Sequence, residues 1–144
     1  MTGSAVRVDA PGAPFTQLLE VARDIASRAY APYSGYHVGA AALVDDGRTV
    51  SGCNVENAGY GVTLCAECGL VGDLIAGGGG KLVAFTCVNG AGEVIMPCGR
   101  CRQLLSEHAA ASMEILTPQG VRGMDAVLPQ AFGPHDLEET RAHD

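Results

Sequence analysis

The sequence contains no tryptophan, and aromatic residues make up only 5% of its 144 positions. Basic residues are also scarce, since nine lysines and arginines stand against sixteen acidic residues and leave a formal net charge of −7. Binding to a nucleic-acid backbone requires clustered basic side chains, so this composition argues against a nucleic-acid partner. No apolar run reaches the roughly 18 residues that a membrane span needs, and no basic segment followed by an apolar one opens the chain. We therefore expect a cytoplasmic protein without a membrane or nucleic-acid partner.

Disulfides are not expected either, although the chain has six cysteines. Thiols stay reduced in the cytoplasm, where cysteines more often bind metals or take part in catalysis. Cys53 and Cys87 lie in apolar, strand-like segments, and we interpret both as core residues. The other four form two pairs with the same spacing, Cys65 with Cys68 and Cys98 with Cys101.

The length of the chain suits one domain with a core of its own. Residues 1–12 are expected to form a flexible leader and residues 133–144 a mobile polar tail, which leaves residues 13–132 for the folded domain. Hydrophobic periodicity and turn signals predict helices at residues 15–29, 65–76 and 98–108, and strands at 36–44, 49–56, 81–89 and 113–116. This order indicates an α/β fold in which helices cover both faces of one mixed sheet.

The clearest chemical pattern is Pro97-Cys98-Gly99-Arg100-Cys101-Arg102-Gln103. Proline suits the first turn of a helix, and residues three apart share a helix face, so Cys98 and Cys101 can reach one metal ion. The partial positive charge of a helix N-terminus favours the thiolate that a metal requires. Cys65, at the predicted start of another helix, would be a third ligand if the two helix starts converge. Three protein ligands leave a fourth position on zinc for water, and Glu67 stands nearby as an acid and base that does not bind the metal.

Cys68 allows a second interpretation of the same segments. Together with the other three cysteines it could complete a closed zinc site that only stabilises the fold. A fourth thiolate would leave no place for water and would weaken the ion as a Lewis acid. We therefore predict that Cys68 lies near the metal without binding it. Arg102 is a candidate for offsetting part of the thiolate charge.

Five segments have the residues and the order typical of one known family. They are Pro32-Tyr33-Ser34, Val38-Gly39-Ala40-Ala41, Gly52-Cys53-Asn54-Val55-Glu56-Asn57, Cys65-Ala66-Glu67 and the segment from Pro97 to Gln103. The chain thereby resembles the small, homotetrameric type of cytidine deaminase over residues 15–132. The resemblance implies zinc-dependent hydrolytic deamination of cytidine and 2′-deoxycytidine to uridine and 2′-deoxyuridine plus ammonia, a reaction of pyrimidine salvage. It also implies one zinc ion per chain, a homotetramer, and a three-layer α/β/α sandwich with a five-stranded mixed sheet.

The same resemblance implies a role for each residue at the metal. Cys65, Cys98 and Cys101 match the zinc ligands, and Glu67 matches the residue that carries protons during catalysis. Cys68 stands where many members of the family have arginine, so the electrostatics around the thiolates are expected to differ from theirs.

Substrate contacts follow from the resemblance in the same way. Asn54 and Glu56 match the residues that hold the ribose hydroxyls, and their i, i+2 spacing on one predicted strand would point both to one face. The backbone N–H of Ala66, at a helix start, is free to bind the pyrimidine carbonyl. Tyr36 stands where phenylalanine commonly packs against the pyrimidine, and it offers the same aromatic face; otherwise it is a core or surface ring. Phe132 matches an aromatic residue that reaches the active site of a neighbouring subunit.

Two further alternatives remain at this point. Phe132 could instead fold back on its own core; Tyr60 is expected near the same subunit interface. A deaminase of a cytosine-containing antibiotic would share the cysteine motifs, but the pair of Asn54 and Glu56 argues against it. The carboxylate of Glu56 would also repel a 5′-phosphate, which favours nucleosides over nucleotides as substrates.

Overall fold

Helices and strands alternate along most of the chain. The structure, a computed structural model, describes residues 11–141. In chain order the elements are α1 (Phe15–Ala26), β1 (Val38–Val44), β2 (Thr49–Cys53), a 3₁₀ turn (Tyr60–Val62), α2 (Ala66–Ala76), β3 (Leu82–Asn89), α3 (Gly99–His108), β4 (Ala109–Thr117), β5 (Gly120–Gly123), α4 (Met124–Val127) and α5 (Pro134–Arg141).

The strands form one five-stranded sheet in the order β2-β1-β3-β4-β5. β1 pairs antiparallel with both β2 and β3, and the β1–β2 turn contains Gly47 at a φ of +93°, a conformation that glycine adopts without strain. β3 and β4 are parallel, so the chain must cross over between them, and α3 makes that crossover. β4 and β5 are again antiparallel, which makes the sheet mixed and confirms the predicted fold class.

Helices cover both faces of the sheet, as the apolar periodicity predicts. On one face, α1 buries the stripe formed by Phe15, Leu18, Leu19, Ala22 and Ala26. On the other face, α2 and α3 share a core with side chains of β1, β3 and β4; its largest fully buried members include Leu70, Leu74, Phe85, Leu105, Met113 and Ile115. The result is the three-layer α/β/α arrangement.

Glycines let two helices approach the sheet closely. A Cβ atom at Gly39 would lie 2.0 Å from the carbonyl oxygen of Ala22 in α1. A Cβ atom at Gly52 would lie 2.2 Å from the carbonyl oxygen of Ala66 and 2.5 Å from the backbone nitrogen of Leu70 in α2. Because real Cβ contacts are never that short, the start of α2 rests directly on the backbone of β2.

Several element boundaries differ from the prediction. α1 ends at Ala26, not at residue 29, because the chain then turns into backbone pairing in which Tyr30 N–H donates to Asn54 O at 3.0 Å. β4 begins at Ala109, in an alanine-rich stretch with weak strand propensity, because pairing with β3 holds it extended. The periodicity did not predict β5, whose four residues include two glycines and carry little strand signal.

The predicted leader and tail can be compared with the structure only in part, because the structure describes residues 11–141. Residues 1–10 of the expected leader lie outside the described residues. Residues 134–141, expected to be part of a mobile tail, form helix α5; the mobility of that segment stays a prediction. Within residues 11–141, no helix is long and apolar enough to cross a membrane.

Candidate active site

Three cysteines meet where two helices begin. Cys65 is the N-cap residue of α2 and Cys98 the N-cap residue of α3, each with an extended backbone, and Cys101 lies in the first turn of α3. The three Sγ atoms lie within 4.8 Å of one another, and those of Cys65 and Cys98 are 3.8 Å apart. Sulfurs bound to a tetrahedral zinc ion at about 2.3 Å are about 3.8 Å apart, so these thiols fit that ion.

The local fold of the Cys98 segment is set by one arginine. Arg102 Nε donates to the carbonyl oxygen of Pro97 at 2.9 Å, and Nη1 donates to Val127 O at 3.3 Å. Pro97 lies directly before the N-cap residue Cys98. The sequence predicted Pro97 in the first helical turn, and that prediction was wrong. Likewise, Cys65 is the N-cap residue of α2 and lies just before its first turn. Both helices begin one residue later than predicted, at Ala66 and Gly99. Cys65 and Cys98 therefore stand at the helix N-termini as cap residues.

Cys68 does not join the other three cysteines. Among the described residues, the group able to hold a metal comprises Cys65, Cys98 and Cys101 alone. The Sγ atom of Cys68 instead lies 3.7 Å from Nη2 of Arg100. Arg100 is therefore the cation beside Cys68, while the guanidinium of Arg102 binds backbone carbonyls. That Arg102 offsets part of the thiolate charge stays a prediction.

Glu67 lies beside the cysteine group and is 3% exposed. Its carboxylate interacts with the thiols of Cys87 and Cys101. Burial, followed by the negative charge of Glu67, raises the pKa of both thiols. The Cys87 thiol also donates to Ile95 O at 3.2 Å. A carboxylate in this position adjoins the site without being one of its three candidate ligands.

The two cap cysteines differ in acidity. Burial raises the pKa of Cys65. Burial is also the largest single influence on Cys98, but hydrogen bonds from Cys101 and Cys65 outweigh it and lower the pKa of Cys98. Metal binding requires the deprotonated thiol, so Cys98 is the more readily ionised of these two candidate ligands before a metal enters.

A cleft of about 300 Å³ opens over Cys65 and Cys98. Its floor includes Ala66, the first residue of α2, whose backbone N–H has no partner within the helix. Predicted site residues that line it are Tyr36, Asn54, Cys65, Ala66, Glu67 and Cys98, together with Val38, Thr63, Leu64, Ile95, Met96 and Pro97. The tertiary structure thus brings most of the predicted site into one concave surface with apolar walls and few polar groups.

Asn54 connects the cleft to the aromatic residue at its edge. Its Oδ1 accepts a hydrogen bond from Val38 N–H at 2.8 Å, and its Nδ2 donates to Tyr36 O at 2.8 Å. One amide hydrogen and one lone pair of Asn54 remain available. The side chain therefore fixes the backbone that carries Tyr36 and still has capacity for a ligand.

Glu56 lies in an adjoining depression of about 270 Å³ and does not line the cleft itself. Thr63 lines both, so the two are neighbours. The Glu56 carboxylate accepts hydrogen bonds from Tyr33 N–H at 2.9 Å, Ser34 N–H at 3.1 Å and Ser34 Oγ at 2.5 Å. These bonds, the Ser34 hydroxyl first, lower the pKa of Glu56. The argument that Asn54 and Glu56 share a strand face was wrong, because β2 ends at Cys53.

Phe132 does not line the cleft of its own chain. Its ring is 59% exposed, so the alternative in which it folds back on its own core is wrong. Gln103 Nε2 donates to Phe132 O at 2.8 Å. Tyr60 is 77% exposed, and its ring meets that of Tyr33 edge-on at 6.1 Å. Both aromatic residues are therefore presented at the surface.

Comparison with known proteins agrees with this geometry. The family described as "Cytidine and deoxycytidylate deaminase zinc-binding region" matches residues 15–117. The chain belongs to this family. It is 53% identical to a cytidine deaminase of Mycobacterium tuberculosis over 91% of this chain and 98% of the relative.

Solved deaminase structures are also similar. The crystal structure of cytidine deaminase from Mycobacterium tuberculosis has a TM-score of 0.81 at 53% identity, over 85% of this chain and 99% of the other. That from Mycobacterium leprae has a TM-score of 0.80 at 50% identity, over 83% and 100%. Because the matching region of the family is zinc-binding, zinc is the metal that the three thiols take.

Sequence reasoning missed two contributors to this deaminase site. Cys87 is buried, as predicted, but its thiol also contacts Glu67, which no local pattern indicates. Arg100 was not singled out, although its place between Cys98 and Cys101 could have drawn attention to it. Cys53, expected in the core, is only half-buried at the end of β2.

Proposed function

We propose that this protein catalyses the hydrolytic deamination of cytidine and 2′-deoxycytidine to uridine and 2′-deoxyuridine. The observation that carries the proposal is the three-thiol group beside a buried, non-ligating carboxylate, with Cys65, Cys98 and Glu67 lining one cleft. A three-ligand site leaves room for water, whereas a structural zinc site has four protein ligands. The proposed catalytic unit comprises residues 13–132. The proposed location is the cytoplasm, whose reducing conditions suit six free thiols.

Each residue of the floor has a separate task. Cys65, Cys98 and Cys101 hold zinc, which when bound supplies the Lewis acidity that turns water into a nucleophile at neutral pH. Glu67 accepts one proton from the attacking water and delivers it to the ring nitrogen; it then takes the second proton from the hydroxyl formed on the ring carbon and delivers it to the leaving amine. The water oxygen replaces the amine on the ring carbon, and the nitrogen leaves as ammonia. Burial keeps the Glu67 carboxylate away from competing bulk water.

The rest of the cleft orients the nucleoside. The backbone N–H of Ala66 binds the pyrimidine carbonyl, Tyr36 packs against the ring, and Asn54 binds a ribose hydroxyl. Glu56, in the adjoining depression, binds a second ribose hydroxyl with the one lone pair that its three hydrogen bonds leave available. Neither depression has a lysine or arginine among its described lining residues, which supports a nucleoside over a nucleotide as substrate.

Assembly into a homotetramer completes the cleft in this proposal. Exposed large apolar side chains include Tyr36 and Leu64, which line the cleft, and Tyr33 and Tyr60, which line the adjoining depression. A patch of this kind on a small domain marks an interface. Phe132, exposed and outside its own cleft, then reaches the cleft of a neighbouring subunit.

The direct test incubates the zinc-loaded protein with cytidine and follows the fall in ultraviolet absorbance. Cytidine and 2′-deoxycytidine should turn over, while deoxycytidylate, with its 5′-phosphate, should turn over far more slowly. No turnover of either nucleoside at one zinc per chain would overturn the proposal. Preferred turnover of deoxycytidylate would make this a nucleotide deaminase, and turnover only of a cytosine-containing antibiotic would support that alternative.

A further inference from the structure

We propose that Gln103 is a positioning residue that sets the ring of Phe132 for the cleft of the neighbouring subunit. The inference rests on the proposed function and assembly, and it adds a residue to which neither assigns a role. Gln103 does not line the deaminase cleft and is not a candidate metal ligand. It acts on the reaction only through the segment that carries Phe132.

That segment, residues 128–133, has little support of its own. It begins where Leu128 N–H closes α4 on Met124 O at 2.8 Å, and it ends where Gly133 N–H donates to Asp136 Oδ2 at 2.8 Å. Gln130 has a φ of +53°, which non-glycine residues rarely adopt. Between these two ends, residues 129–132 make a single hydrogen bond within the described part of the chain. In that bond Gln103 Nε2 donates to Phe132 O.

One helix, α3, contacts the chain directly before this segment and again at Phe132. Arg102 donates to Val127 O at 3.3 Å, and its neighbour Gln103 donates to Phe132 O at 2.8 Å. Arg102 also holds Pro97 O at 2.9 Å, directly before Cys98. Arg102 and Gln103 therefore tie the Phe132 segment to α3, the helix that begins at Cys98 and carries Cys101. A ring fixed in this way loses less conformational entropy when it enters a neighbouring cleft.

The position of Gln103 argues against a role in stability alone. Gln103 is exposed, Phe132 is 59% exposed, and their hydrogen bond lies in an exposed region. An exposed hydrogen bond exchanges readily with water and adds little to the stability of the fold. Its loss should therefore loosen the ring and weaken substrate binding, while the zinc site and the core stay as they are.

The first experiment compares Gln103→Met, Phe132→Ala and the double variant, with Gln17→Met on α1 as the matched control. Gln103→Met removes the donor but keeps the side-chain length. It should raise KM for cytidine about two- to tenfold, the range that one hydrogen bond gives, with kcat and zinc content unchanged. The double variant should match Phe132→Ala, because Gln103 acts through that ring. Additive effects, or a Gln103→Met variant that matches the control while Phe132→Ala raises KM, would overturn the proposal.

A second experiment needs no activity. The sequence has no tryptophan, so Phe132→Trp introduces a single indole whose fluorescence can be excited apart from tyrosine. Adding Gln103→Met should make that indole more accessible to acrylamide, and adding Gln17→Met should not. Equal quenching in the Gln103→Met and Gln17→Met variants would overturn the proposal that the hydrogen bond from Gln103 to Phe132 O, here called the tether, positions the ring. If Gln103→Met fails to fold, Gln103→Glu, which presents an acceptor to Phe132 O, replaces it in both experiments.

These experiments separate the tether from the proposed function. An unmodified protein that does not turn over cytidine would sink the function, and the fluorescence measurement would still decide the tether. If Phe132→Ala leaves KM unchanged, the ring has no part in binding, and the positioning role of Gln103 falls with it.

Discussion

Glu67 combines burial with a position next to a metal ligand. We predict that Glu67→Gln keeps the fold and the zinc but loses about 10²- to 10⁴-fold in kcat, the usual contribution of general acid–base catalysis. The amide has nearly the same shape but cannot carry the proton. Turnover would be measured with zinc content by atomic absorption, and Glu20→Gln, an exposed position on α1, is the control. Near-normal turnover of Glu67→Gln would remove this residue from the mechanism.

Cys68 is the residue that most invites a wrong assignment. Its Sγ atom faces Arg100 and lies outside the group of three candidate ligands. We predict that Cys68→Ala keeps full zinc occupancy and substantial activity, whereas Cys101→Ala loses zinc. The cobalt-substituted protein should give the absorption spectrum of a three-thiolate site. Loss of zinc from Cys68→Ala together with a four-thiolate cobalt spectrum would make this a closed structural site and undo the enzyme assignment.

Glu56 carries a pH dependence whose sign follows from its hydrogen bonds. The Ser34 hydroxyl and two backbone N–H groups hold the pKa of Glu56 below its ordinary value of 4.5. Because the folded-state pKa is lowered, the stabilisation is complete above about pH 4.5 and is lost as the pH falls through the folded-state pKa. We predict that Ser34→Ala raises the pKa of Glu56, as measured by carboxyl NMR titration. An unchanged titration would show that the backbone N–H groups alone set it.

The junction of β2 with α2 determines where Cys65 stands. Gly52 lies directly beneath the first turns of α2, where a Cβ atom would meet Ala66 O at 2.2 Å. We predict that Gly52→Ala lowers the free energy of unfolding by about 1–3 kcal/mol or more, as overpacking does, and weakens zinc binding because α2 must shift. Urea denaturation and zinc titration would measure the two effects.

Gly72, which lies on α2 itself, provides the control for Gly52 on β2. A Cβ atom there would meet nothing within 4 Å, so Gly72→Ala should raise stability by about 0.5–1 kcal/mol through helix propensity. Its zinc affinity should stay unchanged. If Gly52→Ala behaved like Gly72→Ala, the close approach of the two backbones would not be what positions Cys65.

The assembled molecule should differ from the single chain in mass and in substrate binding. We predict a species of four times the 14.7 kDa of one chain by light scattering at micromolar concentration. Tyr60, 77% exposed beside Tyr33, lies at the proposed interface. Tyr60→Asp should therefore shift the protein towards smaller species and raise KM, since each cleft would lose the Phe132 of its neighbour. A fully active protein with the mass of one chain would contradict the assembly.

Much of the fold and site was predictable because it follows from local spacing. The apolar stripe of α1, the turn at Gly47 and the two cysteine-bearing helix starts are all encoded within a few residues of sequence. The motifs containing Glu67 and Asn54 were also recognisable in order along the chain. Strand β5, with two glycines among its four residues, has no such local signal and depends on pairing with β4.

The sequence by itself determined which residues are available for the chemistry, since helix and strand periodicity are local properties of the chain. Only the tertiary structure decided which of them meet. Cys65 and Cys98 are 33 positions apart, and their sulfurs come within 3.8 Å because α2 and α3 pack on the same face of one sheet. The same packing leaves Cys68 beside Arg100, brings Cys87 to Glu67 and leaves Phe132 exposed. Spacing along one helix limits what a side chain can reach, but the close approach of separate elements determines what it contacts.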